Sequence, residues 1–404
     1  MSKSTYFTGQ PVLNQLLKFI ERHSIKAIAL AGDHDKYYKT FDTYCHLITM
    51  LYCTFNKCTS SREVVSGMKA CQNKLSHLGV KNAPGKSTLC DANKKRCYEV
   101  FSQIYDMLYK RHKHILPDSR LNSTSKLFIA DSSTITLFQE ILKAPSMGKI
   151  NGKRKGGIKV HTLIDSGEDV AVKINFSAAR ANDMTFLQEI SLTTGSFIVF
   201  DKGYVDYSQY QRLTDEGVFF VTRQRKGAFF EEVERKPVDT HSKQSGVLSD
   251  KKIILGTRTH AKKIKLVARL VKFYDKTKDR TFEFLTNNFM LAPEKIAELY
   301  KKRWQIELLF KRIKQNFPLK YFLGDNENAI KIQIWCAFIA DLLIKIVQNQ
   351  IHRKWAFSNL SSIIRLHLMS YIDLYKFLND PDKLPSRYKD TQLEIWGFKI
   401  DLKT

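Results

Sequence analysis

No two of the seven cysteines form a Cys-x-x-Cys pair, and their number is odd. Six of them, Cys45, Cys53, Cys58, Cys71, Cys90 and Cys97, lie in the first hundred residues without the spacing of a zinc site, so reduced core thiols are expected. No apolar run is long enough to span a bilayer; the longest, Ile332 to Val347, is broken by Asp341 and Lys345 and reads as a buried helix. The opening MSKSTYFTGQPVLNQLL lacks a compact apolar segment with a small-residue cleavage site, so a cytoplasmic location without a membrane partner is expected. Repeats and low-complexity tracts are absent. A nucleotide-binding P-loop is excluded as well. Gly85-Lys86-Ser87 resembles the end of one, but its first glycine position holds Val80 and Pro84 sits inside the loop. The chain is also short of negative charge: Lys and Arg outnumber Asp and Glu by 66 to 40, a formal charge of +26 with a pI near 9.6. That excess points to a polyanionic partner, nucleic acid first; a ribosome-associated or simply basic protein is the plainer alternative.

With 404 residues the chain can bury a large core and form two or three domains. A hydrophobic fraction of 43%, with 26 Phe, 17 Tyr and 4 Trp, marks a globular rather than a disordered protein. Residues 1–120 read as a helical domain. VLNQLLKFIERH has helical spacing, TFDTYCHLITMLYCTF is apolar, and Ser60-Ser61-Arg62-Glu63 offers a capped helix start. KNAPGKSTLCDANKKRCYEVFSQIYDMLYKRH predicts a turn and a basic helix, with Lys94, Lys95 and Arg96 facing phosphate if this domain binds DNA; the alternative is a helical packing unit. From about residue 126 short strands take over: SKLFIADSSTITLF, GIKVHTLIDSG, DVAVKINFSA and SFIVFDKGYV, with a helix in ANDMTFLQEISL. This order predicts a mixed α/β sheet. Residues 219–290 form a β-rich, Lys- and Arg-rich insertion, 121–218 and 291–350 the core around it, and 351–404 a C-terminal helical tail.

Two acids follow buried strands. Asp131 ends Leu127-Phe128-Ile129-Ala130, and Asp201 ends Phe197-Ile198-Val199-Phe200. A carboxylate there is costly unless it caps a turn or meets a cation, and for each aspartate alone the cap is the plainer reading. A third acid sits in YKKRWQIELLFKRIK, Tyr300 to Lys314, within a helix-forming segment that opens near Pro293 and holds no further Pro or Gly until Pro318. At about 100° per residue, Tyr300, Arg303, Glu307 and Lys314 share one face within about 60°. Ile306, Leu309, Phe310 and Ile313 give the helix a flank to bury. Such a charged face is as readily solvent-exposed decoration as a site.

Asp131, Asp201 and Glu307 together supply three oxygen donors with no His or Cys cluster nearby, the set that Mg²⁺ or Mn²⁺ prefers. They suit phosphoryl transfer by two metal ions about 3.5–4 Å apart. Arg303 and Lys314 would then grip phosphates, and Tyr300 would bond a phosphate or stack on a base. Lys311 joins them as a candidate DNA contact, and Lys153 and Arg154 either contact DNA or lie in a solvated loop. Trp304 is as readily a packing residue as a base contact, and His161 and Asp183 read as structural before catalytic.

Taken together, these motifs resemble the DDE transposases of bacterial insertion sequences, specifically the insertion-sequence-four family. That family is marked by Tyr, two residues, Arg, three residues, Glu, six residues, Lys, and Tyr300, Arg303, Glu307 and Lys314 reproduce every spacing. DSSTITLF at Asp131 and VFDKGY at Asp201 resemble its first and second acidic motifs. The resemblance covers roughly residues 125–345. It implies a ribonuclease H-like core with a β-rich insertion between the second Asp and the Glu. It further implies cleavage of double-stranded DNA at terminal inverted repeats with Mg²⁺ or Mn²⁺, strand transfer into target DNA, in some members a hairpin intermediate, and a homodimer on DNA. A metal-dependent nuclease that never joins, or a non-catalytic DNA-binding descendant, is the alternative; the presence of all three acids argues against the second.

Overall fold

The computed structural model describes residues 7–117, 126–136, 149–150, 153–154, 157–179, 184–256 and 265–382. The chain divides into two compact units, residues 1–108 with 339–404, and residues 109–338. The first unit is built from helices, beginning with Val12–Leu17, Arg22–Ala31, Thr43–Asn56 and Ser61–Ala70. Thr43–Asn56 is buried along nearly its whole length, as its apolar sequence demands, and Asp42 caps it by accepting from Cys45 N. Ser60 caps the next helix through Glu63 N at 3.2 Å, as the sequence predicts. Residues 351–382, the described part of the segment that the sequence sets apart as a C-terminal tail, fold in this same unit: Gln15 bonds the Ile372 carbonyl and accepts from Leu374 N. All seven cysteines are free thiols.

One expectation for this unit fails. Arg96 does not face phosphate. Its guanidinium is buried, donating to Asp35 Oδ1 at 3.2 Å and the Phe41 carbonyl at 2.8 Å, and stacks over Tyr38. It stands just past the end of the Lys86–Lys95 helix, where the chain turns extended and the side chain drops into the core, while Lys94 and Lys95 stay exposed.

The second unit is organised by one sheet. Its strands and two short companions are β1 (Leu127–Thr136), β2 (Lys149–Ile150), β3 (Lys153–Arg154), β4 (Gly157–Asp165), β5 (Val170–Ala178), β6 (Phe197–Phe200), β7 (Phe219–Arg223), β8 (Phe230–Lys236), β9 (Val247–Gly256), β10 (Lys265–Asp275) and β11 (Arg280–Thr286). Nine of them form a sheet in the order β5-β4-β1-β6-β7-β11-β10-β9-β8, and β2 pairs with β3 apart from it. β1, β6 and β7 run parallel, and the other pairings are antiparallel. LFIA of β1 and FIVF of β6 are buried at every position, as parallel strands covered on both faces require. The basic strands after residue 219 thus continue the core sheet through β7 instead of standing apart from it.

The Tyr300–Lys314 segment is two helices rather than one. Pro293–Lys301 begins with proline at its first turn, and Trp304–Asn316 follows. Between them the backbone tightens: Lys302 N bonds Leu299 O, Arg303 N bonds Tyr300 O and Ile306 N bonds Arg303 O, each three residues apart. No proline or glycine marks that step. The expected flank of Ile306, Leu309, Phe310 and Ile313 is buried, whereas Trp304 is 57% exposed and is not a core residue. Ile332 to Val347 lies in the helix Glu327–Gln350 and is buried apart from Lys345. Among the described residues no helix is long and apolar enough to cross a membrane.

Arg269 on β10 fixes the approach to these helices. It forms a buried two-pronged pair with Asp250 at 2.9 and 2.7 Å and donates to the Asn288 and Leu291 carbonyls, in the link that leads to Pro293. Removing one partner of such a pair strands a buried charge, which costs about 3–5 kcal/mol. Arg269→Ala is therefore expected to lower the unfolding free energy by about that amount. Asp250→Ala in the Arg269→Ala background should add little. Urea unfolding of the single and double variants checks this, and fully additive losses would contradict it.

Candidate active site

Three charged residues stand at one level on neighbouring strands: Asp131 midway along β1, Asp201 just after β6 and Arg223 at the end of β7. Strand β1 runs on to Thr136 instead of ending at Asp131 as its sequence suggests. Ala130 pairs with Phe200, which sets Asp131 on β1 beside Asp201, the residue after β6. Val199 pairs with Val221, so Arg223 at the end of β7 comes level with Asp201. With strands about 4.8 Å apart, the three side chains form a row at the carboxyl edge of the parallel strands, where open α/β sheets place their sites.

The two helices lay cations across this row. Arg303 Nη1 donates to Asp131 Oδ2 at 2.7 Å, and its Nη2 donates to Glu307 Oε1. Arg223 Nη2 donates to Asp201 Oδ1 at 2.7 Å, and the Tyr300 hydroxyl donates to the same oxygen at 3.2 Å. Lys314 Nζ donates to Ser133 Oγ at 2.7 Å and to the Thr134 carbonyl, pinning its helix to the far end of β1. The structure thus brings Asp131, Asp201, Glu307, Tyr300, Arg303 and Lys314 to one sheet edge. Lys311 is exposed on the same helix. Lys153 and Arg154 form β3, with side chains outside the described residues, where Asp183 also lies. His161 bonds Ser177 Oγ at 2.7 Å and stacks on Phe186, a packing role.

Sequence reasoning missed Arg223. The signal was there: FFVTR is a buried strand ended by a charge, the same pattern that drew attention to both aspartates. Beside it a pocket of about 100 Å³ is lined by Phe273, Phe282, Phe284, Tyr300, Arg303 and Trp304, among others.

Burial separates the two aspartates. Burial, with Asp201 and Glu307 close by, pushes Asp131 up to about 6 against the pull of the Ser132 amide and Arg303. Burial also pushes on Asp201, but the Arg223 hydrogen bond and charge outweigh it and hold that carboxyl below its usual value. Burial raises the Tyr300 hydroxyl, so it stays protonated as a donor, and burial lowers Lys314. Among the described residues, no three His, Cys, Asp or Glu side chains stand close enough to enclose an ion. Arg303 bridges two of the acids instead. Oxygen-only donors and this concentration of negative charge nevertheless suit a hard divalent cation.

The raised Asp131 value has a stability consequence for metal-free protein. The folded state binds the proton more tightly than the unfolded chain, so the stabilisation is complete below the unfolded value and is lost as pH rises through about 6. Relative to Asp131→Asn, whose amide does not titrate, the wild type should lose about 2 kcal/mol between about pH 4 and about pH 7. Urea unfolding in chelator across that range checks it; a constant gap would contradict it.

The family model described as the transposase DDE domain matches residues 122–343, and one described as a domain of unknown function (DUF4372) matches residues 8–81. A Sinorhizobium fredii protein named as a transposase is 31% identical over 266 residues, covering 65% of this chain and 72% of its own length. A Synechocystis protein named as a transposase for insertion sequence element IS4SA is 28% identical over 271 residues, covering 65% of this chain and 71% of its own length. Among solved structures, a piggyBac transposase synaptic complex with hairpin DNA is similar at a TM-score of 0.45 and 12% identity, over 93% of this chain and 81% of that one, too distant to weigh here. The 122–343 match takes in Asp131, Asp201 and Glu307 together, and the chain belongs to the DDE transposases of bacterial insertion sequences.

Proposed function

We propose that the protein binds the terminal inverted repeats of its own insertion sequence and cleaves and transfers DNA strands at the edge formed by Asp131, Asp201 and Glu307. The single observation that carries the reading is the register: two aspartates side by side on parallel strands, with a glutamate linked to the first through Arg303. The arrangement supports a ribonuclease H-like core and the insertion-sequence-four subfamily. Asp131, Asp201 and Glu307 would hold Mg²⁺ or Mn²⁺, two ions in the family's scheme. Bound there, the ions supply Lewis acidity at the attacked phosphorus and activate the attacking oxygen.

The chain's own groups have the remaining tasks. Arg303 neutralises Asp131 and Glu307, and a divalent ion would compete with its guanidinium for those oxygens. Once released, Arg303 is placed to take a DNA phosphate by its fork. Arg223 and Tyr300 orient Asp201, and Arg223 helps keep it ionised. Lys314 sets the helix against β1 and, with exposed Lys311, offers positive charge to the DNA backbone, as would Lys153 and Arg154. The +26 charge supports a DNA partner, and action on two ends supports a homodimer on DNA. The aromatic pocket beside Tyr300, with Trp304 exposed at it, supports a hairpin route in which an unstacked base is held.

The test is a Mg²⁺-dependent assay on DNA carrying the element's terminal repeats. Wild-type protein should yield both cleaved and joined products. Glu307→Gln should lose at least about 10²–10³-fold in rate while still binding DNA. Undiminished joining by Glu307→Gln would sink the assignment of that residue. Cleavage without any joined product would favour the nuclease.

A further inference from the structure

The turn between β4 and β5, Ser166 to Asp169, grips the helix that carries Glu307 at two points. Ser166 Oγ donates to Gln305 Oε1 at 2.6 Å, two residues before Glu307. Arg312, five residues after it, donates from Nη1 to Asp169 Oδ2 at 2.6 Å and from Nη2 to the Asp169 carbonyl at 2.9 Å. We propose that this turn is the positioning element for the Glu307 carboxylate, with Asp169 and Arg312 as its principal pair. The proposal rests on the reading of Glu307 as a metal-holding acid given above.

Three features of the structure support it. First, the start of the Trp304–Asn316 helix has no side-chain cap, and Ser166 holds its first turn through the Gln305 side chain. Second, Gln305 and Arg312 are about 10 Å apart along the helix, with Glu307 between them. With Lys314 already holding the helix to β1, these two attachments this far apart fix its rotation and its slide, and therefore the height of Glu307 above β1. Third, the turn is itself stiffened from behind. Asp165 and Glu168 are both buried and share Lys126 Nζ at 2.9 and 3.2 Å, and the Tyr109 hydroxyl donates to Glu168 at 2.7 Å. Asp169 takes a left-handed backbone conformation, φ 52°, which presents its carbonyl and its carboxylate to the same guanidinium. Ser166, Asp169 and Arg312 act on Glu307 through the helix.

The test uses the full-length chain. Arg312→Ala should weaken Mn²⁺ binding, read by electron paramagnetic resonance, by about 10–100-fold. It should lower kcat for Mg²⁺-dependent DNA cleavage over a similar range and leave the Kd for terminal-repeat DNA unchanged. Arg312→Lys, which keeps the charge but not the fork, should fall between. Ser166→Ala removes one hydroxyl and little packing, and should shift Mn²⁺ affinity in the same direction by less, which keeps the test open if Arg312→Ala folds poorly. Wild-type Mn²⁺ affinity in both Arg312→Ala and Ser166→Ala would overturn the proposal. A wild-type protein that binds Mn²⁺ but does not cleave DNA, with Mn²⁺ binding weakened in Arg312→Ala, would overturn the functional reading and leave the positioning role supported.

Discussion

Carboxylates gathered at one edge of a sheet repel one another, and burial there adds a desolvation penalty to the repulsion. The catalytic unit resolves this with two guanidiniums. Arg303 spans Asp131 and Glu307, and Arg223 with Tyr300 holds Asp201. The pairing is unequal: Asp131 is pushed toward neutrality while Asp201 is kept ionised. The site is held together by cations that its own chain supplies.

That compensation depends on register. Because Ala130 faces Phe200 and Val199 faces Val221, Asp131, Asp201 and Arg223 share one level, and a slip of one residue would turn a charge into the apolar layer. The helix side depends on attachments of a different kind. Lys314 ties the helix to Ser133, and Ser166 and Asp169 tie it to the β4–β5 turn. Arg269 sets the link that delivers Tyr300. Positions far apart in sequence thus share one task, the distance between a helix and β1.

Much of the site was legible in the sequence because its residues sit at punctuation. A charge after four apolar residues marks the end of a buried run, and a fixed spacing on a helix marks a shared face. These rules led to Asp131, Asp201 and Glu307, although only β6 ends at its aspartate and β1 runs on to Thr136. Arg223 obeyed the first rule and was passed over, since its strand lay in a segment read as an insertion. That β7 joins the core sheet could not be read from composition, because pairing is settled by neighbours distant in sequence. The tight step at Lys302–Arg303 left no proline or glycine to betray it, and the tertiary contact of Arg303 with Asp131 accompanies it. Arg96 was misjudged for a similar reason: a Lys-Lys-Arg run looks uniformly solvated until its last residue turns inward to Asp35. The helical character of the first unit and the burial of the Ile306–Ile313 flank followed from periodicity alone.

The central claim is that Asp131, Asp201 and Glu307 form one divalent-cation centre now bridged by Arg303. Anomalous diffraction from crystals grown with Mn²⁺ tests it most directly. The account predicts anomalous density bounded by these three carboxylates, with the Arg303 guanidinium withdrawn from Asp131 and Glu307. Mn²⁺ bound elsewhere, with Arg303 still bridging the two acids, would contradict it.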